Sequence, residues 1–256
     1  MKYLITLPWM PYPATDGGKQ GSFNMLMELQ NMIDITLIYP VFFKKQMACQ
    51  YLLEKQLPKV KVYPFEYYKN KDGIKSQYSL FRLHRIITRK FLKQPYLATP
   101  IYKDAYIDFV NEIIKKERID IVQNEYFEQL YMVYAIPNTV KKVFIQHEIQ
   151  YIAKDLATMQ RIQEINALNE YDQVITMTDI DKNILMCDGV RAPISASPSF
   201  IPLPDNIAYK ECERSSICFI GGSGHNPNLN GVTWFLDNVW SLILKENPNF
   251  TFKIIG

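Results

Sequence analysis

The sequence predicts an α/β fold built on a doubly wound parallel sheet, followed by the start of a second, smaller βαβ unit. Three observations carry this reading. Apolar β-type runs alternate with segments of helical periodicity along most of the 256 residues, as parallel βαβ units require. The first run passes directly into a loop holding Gly17 and Gly18 and then into a helix. A stretch with four prolines, Ala192 to Pro204, separates this long first part from a shorter strand, loop, helix and strand.

The elements follow in order. Tyr3 to Leu7 is the first strand, and after the Pro/Gly loop Ser22 is expected to cap a helix whose apolar positions Phe23, Leu26, Met27 and Leu29 recur at helical steps. Ile33 to Tyr39, Lys59 to Tyr63, Ile119 to Gln123, Lys142 to Gln146 and Gln173 to Met177 read as further strands. Lys44 to Gln56, Tyr102 to Lys116 and Ile152 to Glu170 read as helices, and Thr178 with Asp181 three residues on begins a short one through Ile184 and Leu185. Residues 1–191 thus form the first domain, 192–215 an extended crossing, and 216–256 the start of a second domain: strand Ile217 to Ile220, a glycine loop, a helix from Asn228 to Lys245, and strand Phe250 to Ile255. One βαβ unit cannot bury both faces of its sheet, so this second domain is expected to be incomplete.

Composition narrows the function classes. Cys49, Cys187, Cys212 and Cys218 form no C-x-x-C pair and have no histidine at metal-ligand spacing, so reduced thiols are expected rather than zinc or disulfides. Met1 to Leu7 is too short for a signal peptide and no long apolar span follows, which points to the cytoplasm. A net charge of +3 speaks against nucleic acid as a partner. The basic residues are nevertheless uneven. Between Lys69 and Lys93 there are eight Lys or Arg and a single acid, with Leu80, Leu83, Ile87 and Phe91 on one helical stripe and Arg82, Arg85, Arg89 and Lys93 opposite. Such a face is either solvated or rests on an anionic membrane surface.

Three places could carry chemistry. The loop with Asp16, Gly17 and Gly18 joins a strand's carboxyl end to a helix N-terminus, where free N–H groups meet anions; it serves either a phosphate or sugar, or only its own turn. His147, at the end of the strand Lys142 to Gln146, and Glu125, just past Ile119 to Gln123, should reach the ligand-binding rim of the sheet. His84 and His225 have weaker claims. Gly221, Gly222, Ser223 and Gly224 form a second glycine loop, but Pro227 breaks the dinucleotide fingerprint, which weakens an NAD reading. Walker A, H-E-x-x-H and G-x-S-x-G motifs are all missing.

Taken together, the glycine loop Pro13 to Gly18, Gln94-Pro95-Tyr96, the segment Phe144 to Tyr151 with its histidine, Val174 to Leu185, and above all Ile217 to Gly256, with a G-x-x-x-x-x-P-N loop, a W-F helix and a closing strand, resemble the retaining glycosyltransferases of GT-B fold, the family 4 group. The resemblance covers nearly the whole chain. It implies two Rossmann-like domains facing one another across a cleft, the second binding a nucleotide-diphosphate sugar and the first mainly the hydroxyl acceptor, a glycan or lipid-linked molecule, with no obligatory metal. It implies that Gly17 and Gly18 approach the donor diphosphate or the acceptor, that His147 contacts the transferred sugar, and that Gly221, Gly222 and Asn228 line the donor loop. Two features depart from the pattern: Ile201-Pro202-Leu203-Pro204-Asp205 stands where a P-N-G-like turn is usual, and the family's E-x7-E acids are missing. Glu117 and Glu125 have that spacing but straddle a strand rather than sharing a helical face.

For the whole enzyme this implies stabilising charge on a leaving diphosphate and on an oxocarbenium-like sugar, with the chain as it stands expected to be inactive by itself. A nucleotide-sugar epimerase of the same fold and a non-catalytic sugar- or nucleotide-binding module are the alternatives.

Overall fold

The computed structural model describes residues 1–69, 104–153, 158–202, 215–224 and 226–256. The chain divides into two compact units, Met1–Ile201 and Pro202–Gly256.

The first unit is a seven-stranded sheet in the order β3-β2-β1-β4-β5-β6-β7, made of β1 (Lys2–Thr6), β2 (Asp34–Val41), β3 (Lys61–Glu66), β4 (Ile121–Glu125), β5 (Lys141–Gln146), β6 (Gln173–Thr176) and β7 (Ile194–Ala196). Every pairing is parallel. A parallel sheet must be covered on both faces, and its strands accordingly carry nearly continuous apolar runs, as in Ile35 to Tyr39. On one face α3 (Asp104–Glu117) packs Tyr106, Val110, Ile113 and Ile114 against Leu4, Ile38 and Val122. On the other, α1 (Gly17–Leu29) and α2 (Gln50–Gln56) bring Leu26 and Leu53 against Ile5, Leu37 and Tyr39. A third cluster joins Phe144 and Val174 to Ile165 and Leu168 of α5 (Thr158–Leu168) and Leu185 of α6 (Asp179–Cys187). The predicted doubly wound α/β architecture is therefore the observed one. The chain winds outward from β1 to β3 and then returns to β4, so the order reverses between β1 and β4.

Several boundaries differ from the expected ones, each for a local reason. Asp16, not Ser22, caps α1: the Asp16 side chain accepts the Lys19 N–H, and Ser22 lies buried within the helix. β4 starts two residues later than Ile119 because Ile119 closes the preceding helix. Arg118 takes a left-handed φ of 55° and Ile119 N donates to Ile114 O, a Schellman stop whose apolar pair belongs to the core. The expected helix Ile152 to Glu170 is described as α4 (Gln150–Ala153) and α5. Between β4 and β5 the connection is a 3-10 helix, Phe127–Tyr134. β7 lies within the proline-rich crossing; prolines are compatible with an edge strand, and Pro193 O still accepts from Val174 N.

The second unit pairs β8 (Ser216–Ile220) with β9 (Thr251–Ile255) in parallel across α7 (Asn226–Phe235), a π-helical turn Leu236–Trp240 and α8 (Ser241–Glu246). Phe235, Trp240 and Phe252 cluster, yet none of the described residues from 216 to 256 is buried.

Candidate functional site at the carboxyl edge of the first sheet

In an open α/β sheet the crevice for ligands opens at the carboxyl ends of the strands where the order reverses. Here that point lies between β1 and β4. The turn Asp16 to Gly18, Glu125 and His147 come together around it.

The loop after β1 ends at Asp16, whose Oδ1 accepts the Lys19 N–H at 2.9 Å while Oδ2 pairs with Lys19 Nζ at 2.9 Å. Partial burial works to raise the carboxyl pKa, but the Lys19 amide and ammonium outweigh it and hold Asp16 below the ordinary aspartate value. Gly17 has open space around it, since an added Cβ would meet nothing within 4 Å. Gly18 does not: a Cβ there would stand 3.0 Å from the Tyr126 hydroxyl and 3.7 Å from Trp9 Cζ2. Both glycines lie in the first turn of α1, whose N–H groups have no intrahelical acceptor.

Glu125 ends β4. The sequence places it at the ligand-binding rim of the sheet; its side chain is buried, with 1% of its surface open, and its carboxylate is already engaged. Gln123 Nε2 donates to Oε1 at 2.7 Å, the Ser22 hydroxyl donates to Oε2 at 3.2 Å, and His147 Nε2 lies 3.2 Å from the same Oε2. The Tyr3 hydroxyl extends the chain by donating to Gln123 Oε1 at 2.8 Å; burial first, and then the Glu125 charge, push its pKa up to about 12. Glu125 turns inward because β4 runs on through it instead of ending at Gln123. Residues two apart on a strand share a face, so Glu125 follows Gln123 toward α1 and Ser22.

The residue after Glu125 changes the backbone. Tyr126 has φ 65° and ψ 153°, a conformation that costs a bulky residue free energy and is found where surrounding contacts impose it. Three contacts do so here. Its hydroxyl donates to Gly18 O at 2.8 Å, the ring meets Trp9 at 4.4 Å between centroids, and it lies parallel to the His147 ring at 3.8 Å and 1°. Burial raises the Tyr126 hydroxyl pKa well above the ordinary value, so it stays a donor. Trp9 Nε1 is buried and has no acceptor among the described residues, an uncommon state for an indole.

His147 follows β5 directly, and 19% of its side chain is open. The turn that carries it is anchored from below. Buried Glu164 accepts from Gln146 Nε2 at 2.8 Å, Gln150 N at 3.2 Å and Tyr151 N at 3.2 Å, satisfying the first N–H groups of α4 with a carboxylate. Sequence reading finds His147 and the Asp16 to Gly18 turn because both sit at strand ends. It misses Trp9, Ser22 and Tyr126, which belong to the site only through tertiary contact.

Glu117, eight positions before Glu125, terminates α3 at the opposite, amino edge of the sheet, bonded to Lys61 Nζ and Tyr63 Oη. In the second unit, Asn228 Nδ2 donates to Gly222 O at 3.2 Å, and a Cβ on Gly221 would lie 2.8 Å from the Asn228 amide, so that loop needs its first glycine to let the asparagine side chain fold back. Arg82, Arg85, Arg89, Lys93, His84 and His225 lie outside the described residues. Among the described residues no cluster of three or more metal-binding side chains occurs, and no helix is long and apolar enough to cross a membrane.

No protein-family profile matches the chain. It is 24% identical over 280 aligned positions to an "uncharacterized 44.6 kDa protein in cps region" of Klebsiella pneumoniae, covering all of this chain and 64% of that protein, so it spans under two thirds of its relative's length. Among solved structures it is similar to a point mutant of S. aureus TarM in complex with fondaparinux, α-GlcNAc-glycerol and UDP, with a TM-score of 0.62, 10% identity, and coverage of 99% of this chain and 71% of that one. A second TarM structure gives a TM-score of 0.60 at 10% identity with the same coverage. At such identities the likeness is one of fold: the α/β architecture matches that of Rossmann-like GT-B proteins.

Proposed function

We propose that this chain is the first domain and the beginning of the second of a retaining family 4 glycosyltransferase, which moves a sugar from a nucleotide-diphosphate donor to a hydroxyl of a glycan or lipid-linked acceptor of the cell envelope. One observation carries the proposal: His147 and the Gly17–Gly18 turn converge, through Tyr126 and Glu125, on the carboxyl edge where the sheet order reverses. The fold likeness to TarM, whose structure holds UDP, supports it.

In this reading residues 1–191 bind the acceptor and 216–256 begin the donor domain, with 192–215 as the crossing. The donor diphosphate gains charge as its bond to the sugar breaks, and N–H groups at helix N-termini answer that charge without a metal. Gly17 offers the open approach for it, while Gly221, Gly222 and Asn228 shape the corresponding loop of the second unit. His147 offers a fixed ring nitrogen to a sugar or acceptor hydroxyl. The absence of any buried residue among those described from 216 to 256 supports the view that this part is inactive without further structure around it. The basic segment with Arg82, Arg85, Arg89 and Lys93 is proposed to meet the anionic inner membrane face when the acceptor is lipid-linked.

The test is direct. The protein of the complete reading frame is incubated with a panel of nucleoside-diphosphate sugars and acceptor glycans, and the products are separated and their anomeric configuration read by NMR. Transfer with retained configuration is expected. Interconversion of the free nucleotide sugars without transfer would instead establish an epimerase, and no turnover of any donor would overturn the enzymatic reading.

A further inference from the structure

We infer that Glu125 is a positioning residue that holds His147 in the tautomer protonated at Nε2, so that Nδ1 is a hydrogen-bond acceptor and the site takes a ligand hydroxyl as donor. The assignment of the ligand hydroxyl to a sugar or its acceptor rests on the transferase reading above; the tautomer itself does not.

The hydrogen bonds set the direction. Gln123 is oriented by Tyr3, whose hydroxyl donates to its Oε1, so its Nε2 must face Glu125 as a donor. Ser22 Oγ stands 3.2 Å from Glu125 Oε2 as a donor, and the Tyr126 hydroxyl, whose own proton goes to Gly18 O, lies 3.3 Å from the same Ser22 oxygen. Glu125 thus accepts from Gln123 Nε2 at Oε1 and from the Ser22 hydroxyl at Oε2. The nitrogen facing it 3.2 Å away therefore carries hydrogen. In neutral imidazole the other nitrogen then holds a lone pair. Among the described residues Nδ1 makes no hydrogen bond, and the side chain is 19% open. The direction of that lone pair is held as well. The ring lies flat on Tyr126 at 1°, Tyr126 is pinned by Trp9 and by Gly18 O, and a rotation of the imidazole would break both the stack and the carboxylate contact. Glu125 is buried, with 1% of its surface open, and meets His147 through Oε2.

The experiment needs no activity. The 256-residue chain is labelled with 15N, and the imidazole signals are read at a pH well above the ordinary histidine value of about 6.5. The His147 signals are assigned by their loss in H147Q. Expected is a ring protonated at Nε2 with that proton slow enough in exchange to give a direct N–H cross-peak. In the isosteric E125Q, where a charged acceptor becomes a neutral one, exchange of that proton should quicken by about tenfold. A wild-type ring protonated at Nδ1, or an Nε2 proton that exchanges as slowly in E125Q as in wild type, would overturn the assignment. Because the tautomer is read in the resting protein, failure here leaves the transferase reading standing, and absence of sugar transfer leaves the tautomer standing.

Discussion

The Tyr126 hydroxyl donates to the Gly18 carbonyl at 2.8 Å, and the same oxygen would stand 3.0 Å from a Cβ on Gly18. One bond thus ties the turn after β1 to the strained residue after β4, and through the Tyr126 ring to His147. The two adjacent glycines consequently have different duties.

For Gly18→Ala the added methyl must displace Tyr126 and weaken its bond to the turn, a loss of about 1 kcal/mol in stability, together with a clear fall in turnover as His147 loses its backing. Gly17→Ala meets open space. It should leave urea stability unchanged or raise it by about 0.5 kcal/mol, since alanine is the better helix residue, while weakening donor or acceptor affinity if a ligand approaches there. Urea unfolding and ligand titration of the pair separate the two roles; equal behaviour of both variants in both measurements would contradict this division.

Asp16 contributes as a helix cap, and Asp16→Ala is expected to cost about 1 kcal/mol near neutral pH. Its folded pKa is depressed, so the contribution is present above the ordinary aspartate value of about 3.9 and is lost as the pH falls through the lower folded value. The difference in unfolding free energy between wild type and Asp16→Ala, followed downward in pH, should therefore shrink on the acid side. A difference that grows on acidification would contradict the cap.

Glu164 satisfies three N–H donors from a buried position. Glu164→Ala strands them, and unsatisfied buried donors cost about 1 to 3 kcal/mol apiece, so the variant is expected to lose about 3 kcal/mol or more. Denaturant midpoints measure this. A loss under about 1 kcal/mol would mean that the turn carrying His147 is held by something else.

The parallel strands were legible because buried strands need continuous apolar runs and the helices between them need a 3.6-residue period, and both signals are local. What failed was also local, but ambiguous. Ile119 is as apolar as a strand residue, and only the left-handed Arg118 shows that it ends a helix. Ser22 has a capping side chain, yet its hydroxyl serves Glu125, over a hundred residues away in sequence. In the site, strand ends announced His147 and the glycine turn. Nothing announced Tyr126, since a tyrosine at positive φ runs against every local preference and is imposed by Trp9, Gly18 and His147. Glu125 was found but its orientation was not, because the point where the strand ends decides whether a side chain lies within the sheet or beyond its rim.

The most direct measurement concerns His147→Ala in the protein of the complete reading frame, with steady-state turnover and thermal unfolding read on the same preparation. His147 stacks on Tyr126 and faces the buried Glu125, but it lies at the sheet edge outside the three apolar clusters, so the melting temperature should fall by no more than several degrees. Turnover should fall by about a hundredfold or more, the loss expected when one preorganised polar contact to the transition state is removed. A variant that melts many degrees lower while its folded fraction turns over normally would show that His147 supports the fold and not the reaction.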